Sequence, residues 1–178
     1  MPRLFTGLKI PPDIAEALAR YQAGLRGARW IEPSDFHITL RFLGDVEVPL
    51  ADAVHDALVE ARQRGPIAIA LPGLDSFGGD KPRAIIAAVA ASPDLDDLQA
   101  EHERLCRQAG AAPERRKFTP HVTLARLRRE AGAPEVASYL AGAGLFPPLS
   151  FTATRVVLFS ARESRGGGPY VVEASYPL

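Results

Sequence analysis

The 178-residue chain is 47% hydrophobic and 24% charged, a composition typical of one folded globular domain, here residues 1–178, and not of a disordered chain. Its 21 basic and 21 acidic residues cancel, which excludes a generic attraction of the whole protein to polyanions. No apolar run reaches the ~20 residues of a membrane span, no signal-peptide run is present, and the single cysteine, Cys106, excludes an internal disulfide, so we expect a cytoplasmic protein without membrane contact.

The first half of the chain has the apolar spacing of alternating strands and helices. Apolar residues recur at intervals of three and four from Ile14 to Leu25, which predicts a helix, and the Pro-Ser-Asp turn at 33–35 leads directly into an apolar strand. In chain order we predict a strand at 4–10, a helix at 14–25, a strand at 37–43, a helix at 50–64 and a strand at 67–71.

The second half repeats this order after a stretch interrupted by proline and glycine. We predict a strand at 84–90, a helix at 93–109, a strand at 121–127, a short helix at 134–140 and strands at 151–160 and 170–176. Three glycines at 166–168 lie between the last two strands. Because no helix follows them to complete a phosphate-binding loop, we interpret them as a flexible connector.

One tetrapeptide pattern occurs twice, as His-Ile-Thr-Leu at 37–40 and His-Val-Thr-Leu at 121–124. A β-strand sends alternate side chains to opposite faces, so each copy would present histidine and threonine on one face and two aliphatic residues to a core. Two such strands side by side would direct His37, Thr39, His121 and Thr123 into one space. The repeat therefore predicts an active site, although a duplicated strand could also keep these residues for structural reasons alone.

The repeated order of elements indicates a duplicated α+β unit, with the two motif strands 84 residues apart. We expect two pseudo-symmetric lobes of antiparallel sheet, helices on the outside and the active-site cleft between the lobes. The remaining histidines, His55 and His102, lie in charged helical segments, and we interpret both as solvated.

Paired histidines suit acid and base catalysis, because one imidazole can be neutral while the other is protonated near neutral pH. Threonine hydroxyls beside them can donate hydrogen bonds to phosphate oxygens, an arrangement that favours in-line displacement at phosphorus without a metal. Charge around the second motif agrees with an anionic ligand. Residues 104–129 contain eight basic side chains and one acidic side chain, Glu114, a local balance of 8 − 1 = +7.

The flanking sequences carry a family resemblance. The segments Asp-Phe-His-Ile-Thr-Leu-Arg-Phe-Leu-Gly at 35–44 and Lys-Phe-Thr-Pro-His-Val-Thr-Leu-Ala-Arg at 117–126, with a strand that begins Arg3-Leu4-Phe5 and a tail strand at Tyr170, resemble the RNA 2′,3′-cyclic phosphodiesterases. These enzymes, also called 2′-5′ RNA ligases, belong to the two-histidine (2H) phosphoesterase superfamily. The resemblance extends over essentially the whole chain and implies the LigT-like 2H fold.

The resemblance also implies an activity: hydrolysis of a 2′,3′-cyclic phosphate, on an RNA end or a cyclic nucleotide, to a 2′-phosphomonoester, without a cofactor. His37 would donate a proton to the departing ribose O3′, and His121 would take one from the attacking water. Thr39 and Thr123 would hold the phosphate oxygens. Joining a 5′-hydroxyl to the cyclic end would use the same histidines in exchanged roles. The two motifs by themselves are symmetric, so these separate roles rest on the resemblance.

Arg126 enters through the pattern His-x-Thr-x-x-Arg and would stabilise the phosphate charge. In a regular strand a residue five positions after His121 lies on the opposite face, so a bulge or the length of the side chain must bring the guanidinium round. The first motif has Phe42 at this offset. Phe118 could stack on a base, although an aromatic residue at such a position more often belongs to the core.

Two other functions remain open at this point. A zinc site would need three or four ligands, and the sequence has no His-Glu-x-x-His, no Cys-x-x-Cys and no carboxylate at repeated spacing beside the two histidines. A non-catalytic RNA-end or nucleotide-binding module would bind in a salt-sensitive way without turnover. Such modules usually present aromatic stacking motifs, and only 7% of these residues are aromatic. We expect no metal and a monomer.

Overall fold

The computed structural model describes residues 1–143, 146–161 and 167–178. Over these residues the chain forms ten strands, four α-helices and one 3-10 helix, Pro33–Asp35. The strands are β1 Arg3–Lys9, β2 Ala28–Trp30, β3 His37–Asp45, β4 Ile67–Leu71, β5 Leu74–Phe77, β6 Ala84–Ala88, β7 His121–Leu127, β8 Leu149–Ala153, β9 Arg155–Ser160 and β10 Val171–Pro177. The helices are α1 Pro12–Ala19, α2 Val48–Glu60, α3 Pro93–Ala109 and α4 Ala133–Gly142.

The main sheet has eight strands, and the two motif strands lie side by side at its centre. Its order is β10-β9-β1-β3-β7-β6-β5, and β2 pairs with β7 beside this path. The strand pairs of the described residues are antiparallel, and β4 and β8 form a separate two-stranded sheet. Between β3 and β7 one residue pair is in register, Ile38 opposite Val122. The α+β class and the antiparallel sheets are therefore as predicted.

The two faces of this sheet have different surroundings. One face is covered by the main hydrophobic core, where Ile38, Leu40, Val122 and Leu124 of the motif strands pack with apolar residues of all four helices. A second, smaller cluster of Phe5, Val157, Phe159 and Ala161, with Tyr170 packed against it, lies apart from this core. Burial of the motif aliphatic residues on this face thus places the histidines on the opposite face of the sheet.

Strand register shows that the two halves of the sheet repeat each other. In one half β1 pairs with β3, and in the other β6 pairs with β7. Each motif strand carries one unpaired residue directly after its threonine. On β3, Thr39 pairs with Gly7 and Arg41 pairs with the adjacent Thr6, so the residue between them is skipped. On β7, Thr123 pairs with Ile86 and Ala125 pairs with the adjacent Ile85 in the same way. The bulged residues are Leu40 and Leu124, the fourth residue of each tetrapeptide. A shared bulge at the same motif position confirms the pseudo-symmetry inferred from the repeat.

Several boundaries differ from the prediction. The first helix ends at Ala19 instead of residue 25; the chain continues in turns, and Gly24, inside the predicted helix, has a left-handed φ of 81° that a helix cannot contain. The second helix likewise ends at Glu60 instead of residue 64. The predicted strand at 151–160 is two strands of different sheets, β8 and β9, which meet at Thr154. The short strands β2 and β5 were not predicted, since three or four residues are too few to show alternation.

The prediction that His102 is solvated is wrong. It lies on α3 with 4% of its surface exposed, and its Nδ1 is 2.8 Å from the Thr6 hydroxyl of β1. Burial and the nearby Arg64 charge lower the pKa of His102 from 6.5 to about 4, so the imidazole is neutral and joins helix to sheet. His55 is exposed, as predicted, with its Nδ1 2.7 Å from the Tyr176 hydroxyl.

Two further observations concern a thiol and membranes. Cys106 is fully buried, and burial raises the pKa of Cys106 to about 11. None of the helices in the described part of the chain has the length and apolar character that a membrane crossing requires.

Gly7 offers a test of the close strand packing beneath the site face. A Cβ at this position would lie 2.6 Å from the Ile38 carbonyl oxygen and 3.4 Å from the Phe159 ring. We expect Gly7→Ala to lower the free energy of unfolding by about 2 kcal/mol, because backbone on the neighbouring strand must move. Urea denaturation followed by circular dichroism measures the change.

The matched control is Gly73→Ala, where a Cβ would meet no atom within 4 Å. Its free energy of unfolding should stay within about 0.5 kcal/mol of the parent value. Equal stabilities of the two variants would contradict the packing argument.

Candidate active site

Each motif histidine is anchored through the same ring nitrogen. His37 Nδ1 lies 2.9 Å from the Asp35 carbonyl oxygen, and His121 Nδ1 lies 2.7 Å from the Thr119 carbonyl oxygen. A carbonyl oxygen only accepts hydrogen bonds, so Nδ1 carries the proton in both neutral imidazoles. Nε2 is therefore the nitrogen with a lone pair in each ring. The two histidines thus present equivalent atoms for proton transfer.

The motif threonines share a face with the histidines. Thr39 is opposite Gly7 on β1, and its hydroxyl oxygen lies 3.0 Å from Nε2 of His37. Thr123 is opposite Ile86 on β6. Extending the antiparallel register by one residue on either side of Ile38 and Val122 sets His37 across from Thr123 and Thr39 across from His121. The predicted set of two imidazoles and two hydroxyls therefore shares one face at the centre of the sheet.

The bulge at Leu124 resolves the difficulty with Arg126. Leu124 and Ala125 are both buried on the core side, so the alternation restarts and Arg126 returns to the face of His121 and Thr123. The charge of Arg126 reaches both imidazoles, because it lowers the pKa of His37 and of His121. At the equivalent place in the other half, the bulge at Leu40 brings Phe42 to the site face, where it is 36% exposed.

Aromatic rings surround the two histidines unequally. Phe5, Phe159 and Tyr170 have ring centroids 4.8, 5.4 and 5.0 Å from the centroid of His37. His121 meets the edge of Phe77 at 4.7 Å. Phe5 on β1 and Ala84 on β6 are equivalent positions in the two halves of the sheet. Phe159 pairs with Phe5 and Phe77 pairs with Ala84, so Phe159 and Phe77 are also equivalent. The extra rings at His37 are Phe5 and Tyr170.

This difference in surroundings appears in the acid–base properties. Burial lowers the pKa of His37 from 6.5 to about 4, against the opposing effect of the hydrogen bond to Asp35, and the charges of His121 and Arg126 lower it further. Burial also lowers the pKa of His121, again opposed by its backbone hydrogen bond, with Arg126 adding to the decrease. Both imidazoles are therefore neutral near pH 7 in the ligand-free protein.

Positive charge at the site comes partly from residues that the sequence did not identify. Lys9 is the cross-strand partner of His37, and Arg29 on β2 is the cross-strand partner of Arg126, so each pair shares a face. Strand pairing is a nonlocal property, and no sequence signal marks these two side chains. The basic side chains of the stretch 104–129 do not all lie at the site. Arg104 and Arg107 are exposed on α3, on the opposite side of the sheet from Arg126.

Phe118, a candidate for base stacking, is half-buried and packs against the main core. Among residues 1–143, 146–161 and 167–178, no three or more His, Cys, Asp or Glu side chains form a group that could hold a metal ion. The site elements that the structure does bring together are therefore the two histidines, the two threonines and Arg126.

Comparison with known proteins points to one family. A family model described as the 2′-5′ RNA ligase superfamily matches residues 10–165. The RNA 2′,3′-cyclic phosphodiesterase of Bacillus subtilis is 35% identical over 132 residues, which are 70% of this chain and 71% of that protein.

Solved structures extend the likeness to the whole fold. The crystal structure of TT0787 from Thermus thermophilus has a TM-score of 0.80 and 26% identity, covering 99% of this chain and 97% of that one. Escherichia coli LigT in complex with 3′-AMP has a TM-score of 0.79 and 23% identity, covering 100% and 99% of the two chains. The fold is thus LigT-like, and the chain belongs to the 2′-5′ RNA ligase superfamily.

Proposed function

We propose that this protein is an RNA 2′,3′-cyclic phosphodiesterase that opens a 2′,3′-cyclic phosphate to a 2′-phosphomonoester. The observation that carries the proposal is the matched anchoring of His37 and His121 through Nδ1, which leaves an equivalent Nε2 on each ring. The name of the Bacillus subtilis relative supports the substrate class. Nucleotide binding is supported by the complex of LigT with 3′-AMP.

In this mechanism water attacks phosphorus in line with the bond to O3′. Nε2 of His121 takes a proton from the water, and Nε2 of His37 gives a proton to O3′ as the P–O3′ bond breaks. The product keeps its phosphate on O2′, and one proton has moved from His37 to the product while another has moved from water to His121. Each transfer contributes about 10²- to 10⁴-fold to the rate.

A proton donor must first be protonated, and burial of His37 opposes this in the free protein. The bound phosphodiester supplies the compensation. One negative charge about 4 Å from the imidazole, at an effective dielectric constant of about 20, is equivalent to about 4 kcal/mol, or roughly three pKa units. Such a shift offsets the decrease and lets His37 be protonated near neutral pH. The substrate anion itself thus prepares the acid.

The remaining side chains hold the phosphate. Thr39 and Thr123 donate hydrogen bonds to non-bridging oxygens, and in the free protein the Thr39 hydroxyl is instead bonded to His37 Nε2, which substrate must replace. Arg126 balances the phosphate charge from one side only. Two imidazoles are fewer ligands than catalytic zinc usually has, which supports catalysis without a metal. In ligation a 5′-hydroxyl would replace water as the nucleophile: His121 takes its proton and His37 protonates O3′ as the P–O3′ bond breaks, so the two histidines keep their roles and do not exchange them.

Loss of either histidine should greatly slow turnover of a 2′,3′-cyclic nucleotide. We expect His37→Ala and His121→Ala each to lower kcat by about 10²- to 10⁴-fold, because each removes one proton transfer. Phosphorus NMR follows formation of the 2′-phosphate. His55→Ala is the matched control, since His55 lies on α2 beside Tyr176, and it should retain the parent rate.

Other outcomes of this experiment favour other functions. Parent rates in both motif variants would contradict histidine catalysis. Activity lost with a chelator and restored by metal would favour a metal site. Salt-sensitive RNA binding without any 2′-phosphate release would favour the non-catalytic binding module.

The separate roles of the histidines can be assigned with a substrate whose leaving group needs no proton. The p-nitrophenyl ester of 3′-deoxyadenosine 2′-phosphate releases a stabilised phenolate. We expect His37→Ala to hydrolyse this ester within about tenfold of the parent rate, while His121→Ala remains at least about 10²-fold slower, because only the base is still required. Release of p-nitrophenolate is measured by absorbance. Selective recovery of His121→Ala would reverse the two assignments.

Arg126→Gln tests the cation at the site in two ways. We expect KM for the cyclic nucleotide to rise roughly tenfold or more, as a hydrogen bond to a charged group contributes about 1.5 to 3 kcal/mol. Removing the positive charge should also raise the pKa of both His37 and His121, measured by NMR titration of the ligand-free protein. Arg129→Gln, in the exposed turn after β7, is the matched control and should change neither pKa. Unchanged titrations in Arg126→Gln would contradict its placement.

A further inference from the structure

The segment that precedes the last strand lies directly against His37. The Tyr170 ring meets the imidazole at 5.0 Å with an angle of 86° between the planes, and it meets Phe5 edge-on at 5.1 Å. Phe159 completes the contact at 6.5 Å from Tyr170. His37 is thus enclosed by rings from β1, β9 and the approach to β10. His121 has no counterpart of Tyr170 among the ring contacts of the described residues.

Asp35 connects this segment to the histidine. Its carboxylate oxygen Oδ1 accepts a hydrogen bond of 3.1 Å from the Tyr170 backbone N–H. Its own backbone carbonyl accepts the hydrogen bond from His37 Nδ1. One residue of the 3-10 helix therefore holds both the imidazole and the backbone that carries the ring packed on it.

Gly168 shows how closely the segment approaches the carboxylate. A Cβ at Gly168 would lie 2.3 Å from Asp35 Oδ2, and the residue has a left-handed φ of 96°. At Gly167 a Cβ would lie 2.5 Å from Ile31 Cδ1. Only glycine allows both contacts. Gly167 and Gly168 of the predicted connector therefore lie close against Ile31 and Asp35, while Gly166 lies outside the described residues.

We propose that Asp35 and Tyr170 are positioning residues for His37, with the Asp35 carboxylate clasping the Tyr170 backbone so that the ring fixes and dehydrates the imidazole. The proposal rests on the proposed catalytic role of His37. It accounts for the asymmetry between two otherwise equivalent histidines. The ring restricts His37 to the orientation in which Nε2 faces the site, and it excludes water from the donor.

The charges that act on His37 come from several elements, and Tyr170 variants leave all of them in place. Asp35 faces it from the 3-10 helix, Lys9 from β1, and His121 and Arg126 from β7. Of these, His121 and Arg126 lower the pKa of His37, whereas Asp35 raises it. A change in the titration of a Tyr170 variant therefore reports the ring and the hydration that it controls.

The first experiment compares Tyr170→Leu with Tyr170→Phe in the ligand-free protein. NMR titration of the His37 ring should show its pKa rising by about one unit toward 6.5 in Tyr170→Leu, because water returns to the imidazole, and staying near the parent value in Tyr170→Phe. With cyclic nucleotide, kcat of Tyr170→Leu should fall about tenfold, with KM within about twofold. A folded Tyr170→Leu protein with the parent pKa and kcat would overturn the proposal.

Phe77→Leu is the reciprocal control at the other histidine. It removes the ring at His121 and should raise the pKa of His121 while leaving that of His37 unchanged. If Tyr170→Leu and Phe77→Leu moved both histidines equally, the change would reflect general loosening of the fold, and the proposal would fail.

The second experiment separates the clasp from the charge of Asp35. Asp35→Asn keeps an oxygen that can accept from Tyr170 N–H, whereas Asp35→Ala does not, and both lose the same negative charge and keep the backbone carbonyl. We therefore expect the His37 pKa to be higher in Asp35→Ala than in Asp35→Asn. The ring-current displacement of the His37 ring protons by Tyr170 should persist in Asp35→Asn and disappear in Asp35→Ala. Identical titrations and proton shifts in the two variants would refute the clasp.

Asp45→Ala removes one negative charge from the distant end of β3, where Asp45 faces Arg3 at 3.9 Å, and should reproduce the parent titration. These titrations need no substrate. Failure of the parent protein to hydrolyse a cyclic phosphate would refute the proposed function, whereas an unmoved His37 pKa and an unmoved ring current would refute the positioning role alone.

Discussion

The site depends on the single register pair that joins the two halves of the main sheet, Ile38 opposite Val122. Both side chains are completely buried on the core face, and both are the second residue of their tetrapeptide. A slip of one residue would turn every side chain of a motif strand to the other face, exposing aliphatic residues and burying a histidine. Core packing therefore fixes the relative position of the two imidazoles, and the proposed catalysis would use a geometry that hydrophobic burial enforces.

The bulges extend this control to the residue that follows each motif. Because Leu40 and Leu124 each add one residue, Arg41 and Ala125 turn to the core, and Phe42 and Arg126 turn to the site. The same backbone device thus delivers an aromatic ring in one half and a cation in the other. The backbone is the same at these two positions, but the residues differ. The site therefore has a cation on one side only.

Much of this arrangement could be predicted from local sequence, because strand alternation and the repeat are local. The two histidines, the two threonines and the antiparallel α+β fold follow from those patterns. The face of the sheet on which Arg126 lies could not be predicted, because the residues that form a bulge carry no sequence signature. The contact between Tyr170 and Asp35 could not be predicted either, because the two residues are 135 positions apart and are brought together by the pairing of β1 with β3 and with β9. The burial of His102 was missed because helix periodicity does not show that a buried threonine hydroxyl lies opposite it.

The segments before the two motifs show how one half compensates for a missing element of the other. Ala28–Trp30 precedes the first motif and pairs as β2 with the second motif strand. The corresponding residues before the second motif, 112–114, form no strand, yet they are tied to the first motif strand through Arg41. This buried guanidinium donates to the Ala112 carbonyl, the Phe42 carbonyl and Glu103, while Glu103 accepts from the Glu114 backbone N–H at 3.1 Å.

Arg41 occupies the position equivalent to Ala125, the residue that Trp30 faces across β2 and β7. Its guanidinium therefore takes the place of a strand pairing, and each lobe reaches across to the motif strand of the other. A buried ion pair adds little net stability, because desolvation of both charges offsets their attraction. What these hydrogen bonds provide is a geometric connection: they join residues 112–114, on the approach to His121, to β3, the strand that carries His37.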